Sequence, residues 1–257
     1  MFTPRKLAAL LLGALLLCAA LTAYAEECVS GDYTYLLLED GTALILDYDG
    51  TEAHVIIPDH LDGHAVSAIG DGAFSNCASP VSITIPDSIT SIDMNPFWAC
   101  YRLKEILVSD QHPAFSSVGG VLFSRAANAL IAYPNGLDAE QYAVPKGTAV
   151  IGDFAFADSN HLRSVILPGS VTAIGDTAFG FCRSLDSVSL PEGMVSIGAY
   201  AFRSCPSLAS VSVPQSVSSI GFAAFPETAA LITYDGSYAA EWAAGSGLIP
   251  RSVNAGE

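Results

Sequence analysis

Basic residues are scarce in this chain: 10 Lys and Arg stand against 26 Asp and Glu, which gives a formal net charge of −16. A surface with this balance repels phosphate backbones and anionic lipid, so nucleic acid is not an expected partner. The acidic residues are scattered, and no block of five or six like charges occurs. This distribution is typical of a solvated surface rather than of an acidic tail.

Motifs for catalysis and cofactor binding are also missing. The sequence has no C-x-x-C, no G-x-S-x-G elbow, no phosphate-binding Walker loop and no G-x-G-x-x-G that opens a helix. We therefore expect no enzymatic activity, no cofactor and no metal. A secreted hydrolase remains a remote alternative.

Histidines cluster at one place, where His54, His60 and His64 surround Asp62. The H-x-x-x-H spacing of His60 and His64 resembles a zinc pair, but it brings both rings to one side only on a helix. The residues between them read as a turn after Pro58. A solvated loop is therefore favoured over a metal site built from these four residues.

Long apolar runs are absent except at the N-terminus. A basic pair at residues 5–6 precedes an apolar run over residues 7–21, and small residues follow at Ala23 and Ala25. This layout predicts a signal peptide over residues 1–25, with cleavage after Ala25, and the alternative is an uncleaved anchor. No later run approaches the roughly 20 residues of a membrane helix, so no membrane span is expected in the mature chain.

A proline recurs at regular distances through the remaining sequence. The last four such prolines are 23 residues apart, whereas the two earlier gaps are 28 and 59 residues. The prolines are Pro58, Pro86, Pro145, Pro168, Pro191 and Pro214. An internal repeat of this length predicts stacked coils that share one core, because a single unit cannot bury its apolar side alone.

Each unit repeats the same internal pattern. A short alternating apolar run, typical of a half-buried strand, precedes the proline. An Ile follows the proline, after six residues in most units, and a Phe follows that Ile after five. Asp71, Asp153 and Asp176 stand two residues before the Ala-Phe pair, where they would cap a single short helical turn.

A cysteine stands three residues after the Phe in four units, as Cys77, Cys100, Cys182 and Cys205. With Cys28 the predicted mature chain holds five cysteines, and an odd number leaves at least one without an internal partner. A column of buried thiols is favoured over disulfides between neighbouring coils, which stay an alternative.

The pattern LxxVxLPxxVxxIGxxAFxxCxxL fits residues 162–185 fully, and fits residues 185–208 with Met194 in place of one Val. It resembles the BspA-like leucine-rich repeat of bacterial surface antigens, over about residues 33–245. The resemblance implies an extracellular solenoid used for adhesion or protein binding, without catalysis.

The predicted fold class is thus a repeat solenoid of leucine-rich-repeat type, β-rich with short helical turns and with about six to seven coils. We expect a capping hairpin over residues 26–54, repeats over 55–231 and a cap over 232–257. Asp40-Gly41 between apolar runs predicts the hairpin turn. A brief helix near Ser237, with Tyr238 and Trp242 on one face, predicts the second cap.

Two surfaces are candidates for binding a partner. The first is the outward stripe of the strands, which is nearly free of charge. The second is the irregular excursion over residues 104–142, which reads as a protruding hairpin or an enlarged coil. The candidate residues are Ser164, Ile166, Ser187, Ser189, Ser210 and Ser212 on the stripe, with Phe123 and Arg125 in the excursion.

The expected function is that of a secreted or cell-surface binding and adhesion module. The expected partner is an extracellular protein or glycan, and the chain is expected to be a monomer. The alternative from a different class is a passive structural protein of the envelope with no specific ligand.

Overall fold

The structure, a computed structural model, describes residues 27–248 and 250–253, so the predicted signal peptide lies outside the described residues. The first twelve strands are β1 (Glu27–Ser30), β2 (Tyr33–Leu37), β3 (Ala43–Tyr48), β4 (His54–Ile56), β5 (His60–Leu61), β6 (His64–Ile69), β7 (Ser82–Thr84), β8 (Ser91–Ile92), β9 (Glu105–Leu107), β10 (Phe115–Val118), β11 (Val121–Ser124) and β12 (Ala129–Ala132). The remaining elements are β13 (Gln141–Ala143), β14 (Val150–Ile151), β15 (Ser164–Ile166), β16 (Ala173–Ile174), β17 (Ser187–Ser189), β18 (Ser196–Ile197), β19 (Ser210–Ser212), β20 (Ser219–Ile220), β21 (Ala230–Tyr234), α1 (Tyr238–Gly245) and β22 (Arg251–Val253).

The chain winds into a β-solenoid of about eight turns. The alternating run of each unit forms a short strand of what we call the strand face, and parallel pairs such as β13–β15 and β15–β17 join neighbouring coils. The strand-face strands are β4, β7, β9, β13, β15, β17, β19 and β21. The turns exceed the six proline units because β9 and β21 form coils without that proline.

A second face is built from short strands, each of which ends at the Ile that stands five residues before the Phe of its unit. Strands β14, β16, β18 and β20 pair in parallel, with Ile151, Ile174 and Ile197 in register. Glycines follow these isoleucines because the coils approach closely. A Cβ on Gly198 would lie 2.5 Å from the backbone carbon of Gly175.

The Ala-Phe segments form turns rather than the expected helical turn. Backbone bonds cross from coil to coil here, as from Phe156 N to Ala178 O at 2.7 Å. Asp153 does not cap its own coil, because its Oδ1 accepts from the backbone N–H of Asp176 one coil further on, at 2.7 Å. Left-handed backbone at Thr177 and Tyr200, with φ of 55° and 57°, is incompatible with a right-handed helix.

Both caps form. The predicted hairpin of β2 and β3 is confirmed, and β1 adds a third antiparallel strand to it. Helix α1 begins after Ser237, whose side chain accepts a hydrogen bond from the Ala240 N–H. The Trp242 ring packs edge-on against Phe225 at 6.0 Å, whereas Tyr238 is exposed and does not share in the seal.

The excursion lies inside the solenoid rather than protruding from it. Strands β10, β11 and β12 form an antiparallel meander that joins the second face through the pair β12–β14. Val121 and Phe123 pack into the core of the C-terminal coils, whereas Leu122 packs into a separate core of the N-terminal coils. We call strands β10–β12 the septum, the coils before it the N-terminal half and those after it the C-terminal half.

Candidate functional site

The strand face of the C-terminal half presents the predicted stripe in register. Ser164 lies beside Ser187, and Ile166 lies beside Ser189, on adjacent parallel strands. The side chain of Ile166 is 55% exposed, and the serines of β17 and β19 are also exposed. Val165, Val188 and Val211 between them point into the core, since successive residues of a strand alternate sides. The structure therefore brings Ser164, Ile166, Ser187, Ser189, Ser210 and Ser212 together on one uncharged surface.

The two predicted residues of the excursion lie elsewhere. Phe123 is only 7% exposed because the septum has apolar neighbours on both sides, so its ring does not offer a contact surface. Arg125 is at the surface, but its guanidinium donates to the carbonyl oxygens of Asp110, His112 and Phe115 at 2.7–3.1 Å. These three hydrogen bonds fix the Arg125 side chain to the preceding loop. The sequence did indicate that Phe123 is buried, because an unbroken apolar run predicts a strand buried on both sides.

The three histidines and Asp62 do not come together in one site. His60 and His64 belong to a tight β-hairpin, not a helix, and Asp62 accepts hydrogen bonds from Ser30 and Tyr35. His54 hydrogen-bonds to Ser82 Oγ at 2.8 Å. Among the residues that the structure describes, no three His, Cys, Asp or Glu side chains are placed to hold a metal ion.

Each thiol of the cysteine column donates a hydrogen bond to the backbone carbonyl of an aromatic residue one coil earlier. Cys182 Sγ donates to the Phe156 carbonyl and Cys205 Sγ to the Phe179 carbonyl, each at 3.0 Å. Burial raises the pKa of the Cys182 thiol well above its usual range. No disulfide joins the cysteines of the described part of the chain. The buried, protonated Cys182 thiol is a packing group and hydrogen-bond donor rather than a nucleophile.

A second surface, which the sequence did not indicate, lies on the Ala-Phe turns of the C-terminal half. We call it the aromatic–arginine surface: Phe181, Arg183, Tyr200, Arg203 and Phe222 line a concavity of about 890 Å³. The Tyr200 and Phe222 rings meet edge-on at 5.6 Å and 85°, and the Arg203 guanidinium lies 5.1 Å from the centre of the Tyr200 ring. These residues vary from coil to coil, so no repeating pattern points to them.

Across the described residues, no helix combines the length and the apolar character that a membrane crossing requires.

Solved structures with the same fold include several bacterial leucine-rich repeat proteins. The pneumococcal vaccine antigen PcpA is 28% identical with a TM-score of 0.61; the match covers 67% of this chain and 43% of PcpA, so this chain spans less than half of that antigen. A leucine-rich repeat protein from Eubacterium ventriosum is 17% identical with a TM-score of 0.53, over 76% of this chain and 77% of that one. No curated protein matches the chain.

Residues 54–130 and 131–237 match the repeat described as BspA type leucine rich repeat region, in six copies. These segments contain the repeating strands, the Ile-Gly positions and the phenylalanine column. They leave out the capping strands β1–β3 and the whole of helix α1. The resemblance seen in the sequence is thus confirmed, and the chain belongs to the BspA-type leucine-rich repeat family.

Proposed function

We propose that this chain is an exported, non-catalytic adhesion module that binds a partner through the strand face of its C-terminal half. The observation that carries the proposal is the uncharged, exposed stripe from Ser164 to Ser212 on three adjacent strands. Such a surface meets a protein or glycan without the cost of stripping water from charged groups.

The rigidity of this face also favours binding. Ladder bonds join β15 to β17 and β19 to β21, and the valines beneath the stripe are buried against the core. A pre-ordered surface loses little conformational entropy when it binds. The exposed Ile166, on the first of the three strands, supplies apolar area at one edge of the stripe.

Site-specific photo-crosslinking on intact cells of the native host tests this site. A photo-reactive side chain at Ile166 should yield a saturable product that excess unlabelled protein removes. The matched control is Val195, an apolar residue that is 48% exposed and lies outside the strand face. Equal crosslinking from both positions, or no saturable product from Ile166, would favour the passive envelope protein instead.

Export rests on the N-terminal pattern of a basic pair, an apolar run and the Ala23-x-Ala25 site. N-terminal sequencing of the protein recovered from outside the cell should begin at Glu26. A product that keeps residues 1–25 would indicate an anchor. Both ends of the solenoid are capped, which supports a monomer, and light scattering of the mature chain should give the monomer mass.

A further inference from the structure

The aromatic–arginine surface calls for an explanation that the fold does not supply. Phe222 is 74% exposed and Phe181 is 36% exposed, although both belong to regular coils with a complete core. Such rings gain nothing from solvent exposure, and exposed aromatic clusters mark interaction sites.

Packing does not require aromatic residues at these positions. Tyr200 occupies the left-handed position of its turn, where the neighbouring coils carry Thr177 and Ala223. Phe181 occupies the second left-handed position, where the next coil carries Ser204. Large side chains in this backbone region are unusual, and small residues satisfy the same turn in the adjacent coils.

The charge of the surface is opposite to that of the chain. Arg183 and Arg203 line it together with one acid, Glu227, whereas the whole chain carries 26 acidic and 10 basic residues. In the described part of the chain, Arg163 with Asp186 forms the only arginine–carboxylate pair within 4 Å. Arg183 and Arg203 thus keep guanidinium donors that a ligand carboxylate can accept from.

The geometry of the two rings favours an acidic peptide over an acidic sugar as the ligand. An acidic sugar stacks one face of its puckered ring on an open aromatic platform, but Tyr200 and Phe222 stand at 85° to each other. Two rings at this angle form a notch that suits an apolar side chain. Tyrosine and arginine at the centre of a concavity are also the commonest anchors of protein interfaces.

We propose that the aromatic–arginine surface binds an acidic peptide segment of a protein partner, with an apolar side chain between Tyr200 and Phe222 and carboxylates on Arg183 and Arg203. This site lies on a different face from the strand-face stripe. The two binding surfaces are therefore independent, and each can fail without the other.

An array of synthetic 12-residue peptides tests the proposal with the mature chain as the soluble probe. The array varies the order of Asp, Glu, Leu and Phe, and each peptide has a matched version with Lys at the acidic positions. We expect selective binding to acidic–apolar peptides, weakened at high salt because the ion pairs are surface-exposed. Absence of any preference for acidic over basic peptides would overturn the proposal.

Variants then assign the binding to this surface. Arg203→Glu and Phe222→Ser should each weaken the best peptide at least tenfold in fluorescence anisotropy, whereas the control Val195→Glu, which lies on neither proposed surface, should leave it unchanged. All three side chains are exposed, and circular dichroism checks that each variant folds. Unchanged affinity in Arg203→Glu and Phe222→Ser, or preferential binding of oligogalacturonate over every peptide, would refute a peptide site here.

Discussion

The column of aromatic rings is regular in the C-terminal half and irregular in the N-terminal half. From Phe156 to Phe225, successive rings lie 4.9–5.3 Å apart with interplanar angles of 4–7°. The rings of Tyr48, Phe74 and Phe97 lie 5.1–5.5 Å apart but are tilted by 30–40°.

The two halves also differ in the regularity of their repeat length. Coils of equal length place equivalent residues one strand spacing apart, so their side chains can adopt the same orientation and stack. In the N-terminal half the first proline gap is 28 residues, and the extra residues form the β5–β6 hairpin. Tyr48 and Phe74 are 26 residues apart, but Phe74 and Phe97 are 23 residues apart and their rings are still tilted by 40°, so equal spacing alone does not align the rings. Both stacked and tilted aromatic pairs are favourable.

The two halves also differ in what they expose. The uncharged strand-face stripe and the aromatic–arginine surface both belong to the C-terminal half, whereas the N-terminal strand face includes His54 and Glu105. A regular scaffold can vary its outward residues freely because the core pattern alone sets the backbone. The regular half is therefore the half in which we place the binding functions.

The largest expected effect comes from emptying one position of the aromatic column. Phe179→Ala should cost about 3–5 kcal/mol, since the ring is fully buried between two others. Amide hydrogen exchange should show that the C-terminal half loses protection while the N-terminal half keeps it, because the two cores are separate. Phe74→Ala, equally buried, is the matched variant and should reverse this pattern. Uniform loss of protection in both variants would mean that the halves form one cooperative unit.

Two adjacent residues of the septum test whether the N-terminal and C-terminal cores are separate where they meet. Leu122→Ala and Phe123→Ala remove neighbouring side chains from opposite sides of β11, and each should cost about 2–5 kcal/mol. Hydrogen exchange should place the loss in the N-terminal half for Leu122→Ala and in the C-terminal half for Phe123→Ala. The same half losing protection in both variants would contradict the assignment of the septum to two cores.

Glycine substitution compares how tightly coils approach in the two halves. A Cβ on Gly198 would meet backbone atoms at 2.5 Å, whereas a Cβ on Gly70 would meet the Ile45 carbonyl at 3.1 Å. Gly198→Ala should therefore cost about 1–3 kcal/mol from overpacking, with a smaller cost for Gly70→Ala. Urea denaturation of both variants measures the difference. Equal costs would show that the regular coils yield as readily as the irregular ones.

The sequence predicted the solenoid well because proline, isoleucine and phenylalanine each have one role that recurs at fixed spacing. It placed the end of the repeats at residue 231, inside β21, because that last strand lacks the proline. It left open whether the excursion protrudes or enlarges a coil, since whether an apolar strand lies within a core or protrudes depends on contacts with distant coils. The Asp153 bond to Asp176 was missed for the same reason: the Asp-to-backbone spacing fits a helix cap locally, and only stacking brings the next coil closer.

The strand-face stripe could be predicted from the sequence, whereas the aromatic–arginine surface could not. Alternation within a strand predicted that Ser187 and Ser189 point outward, because side-chain direction in a strand is a local property. The association of Arg203 with Tyr200 and of Tyr200 with Phe222 depends on how three turns are offset in space. A repeat pattern contains only the residues that recur, so it gives no indication of residues that differ between coils.

The smallest expected effect concerns the left-handed residue just before the column cysteine. Ser204, with φ of 57°, occupies this position in the C-terminal half, and Asn76, with φ of 60°, occupies it in the N-terminal half. Asparagine tolerates this conformation better than serine, because its side chain bonds locally to the backbone. Ser204→Gly should therefore raise the free energy of unfolding by about 0.5–1 kcal/mol after the entropy that glycine adds to the unfolded chain. Asn76→Gly should give little gain or a small loss. Urea midpoints that rise equally in both variants would show that the two turns carry the same strain, and that the N-terminal half is irregular in its core but not in its turns.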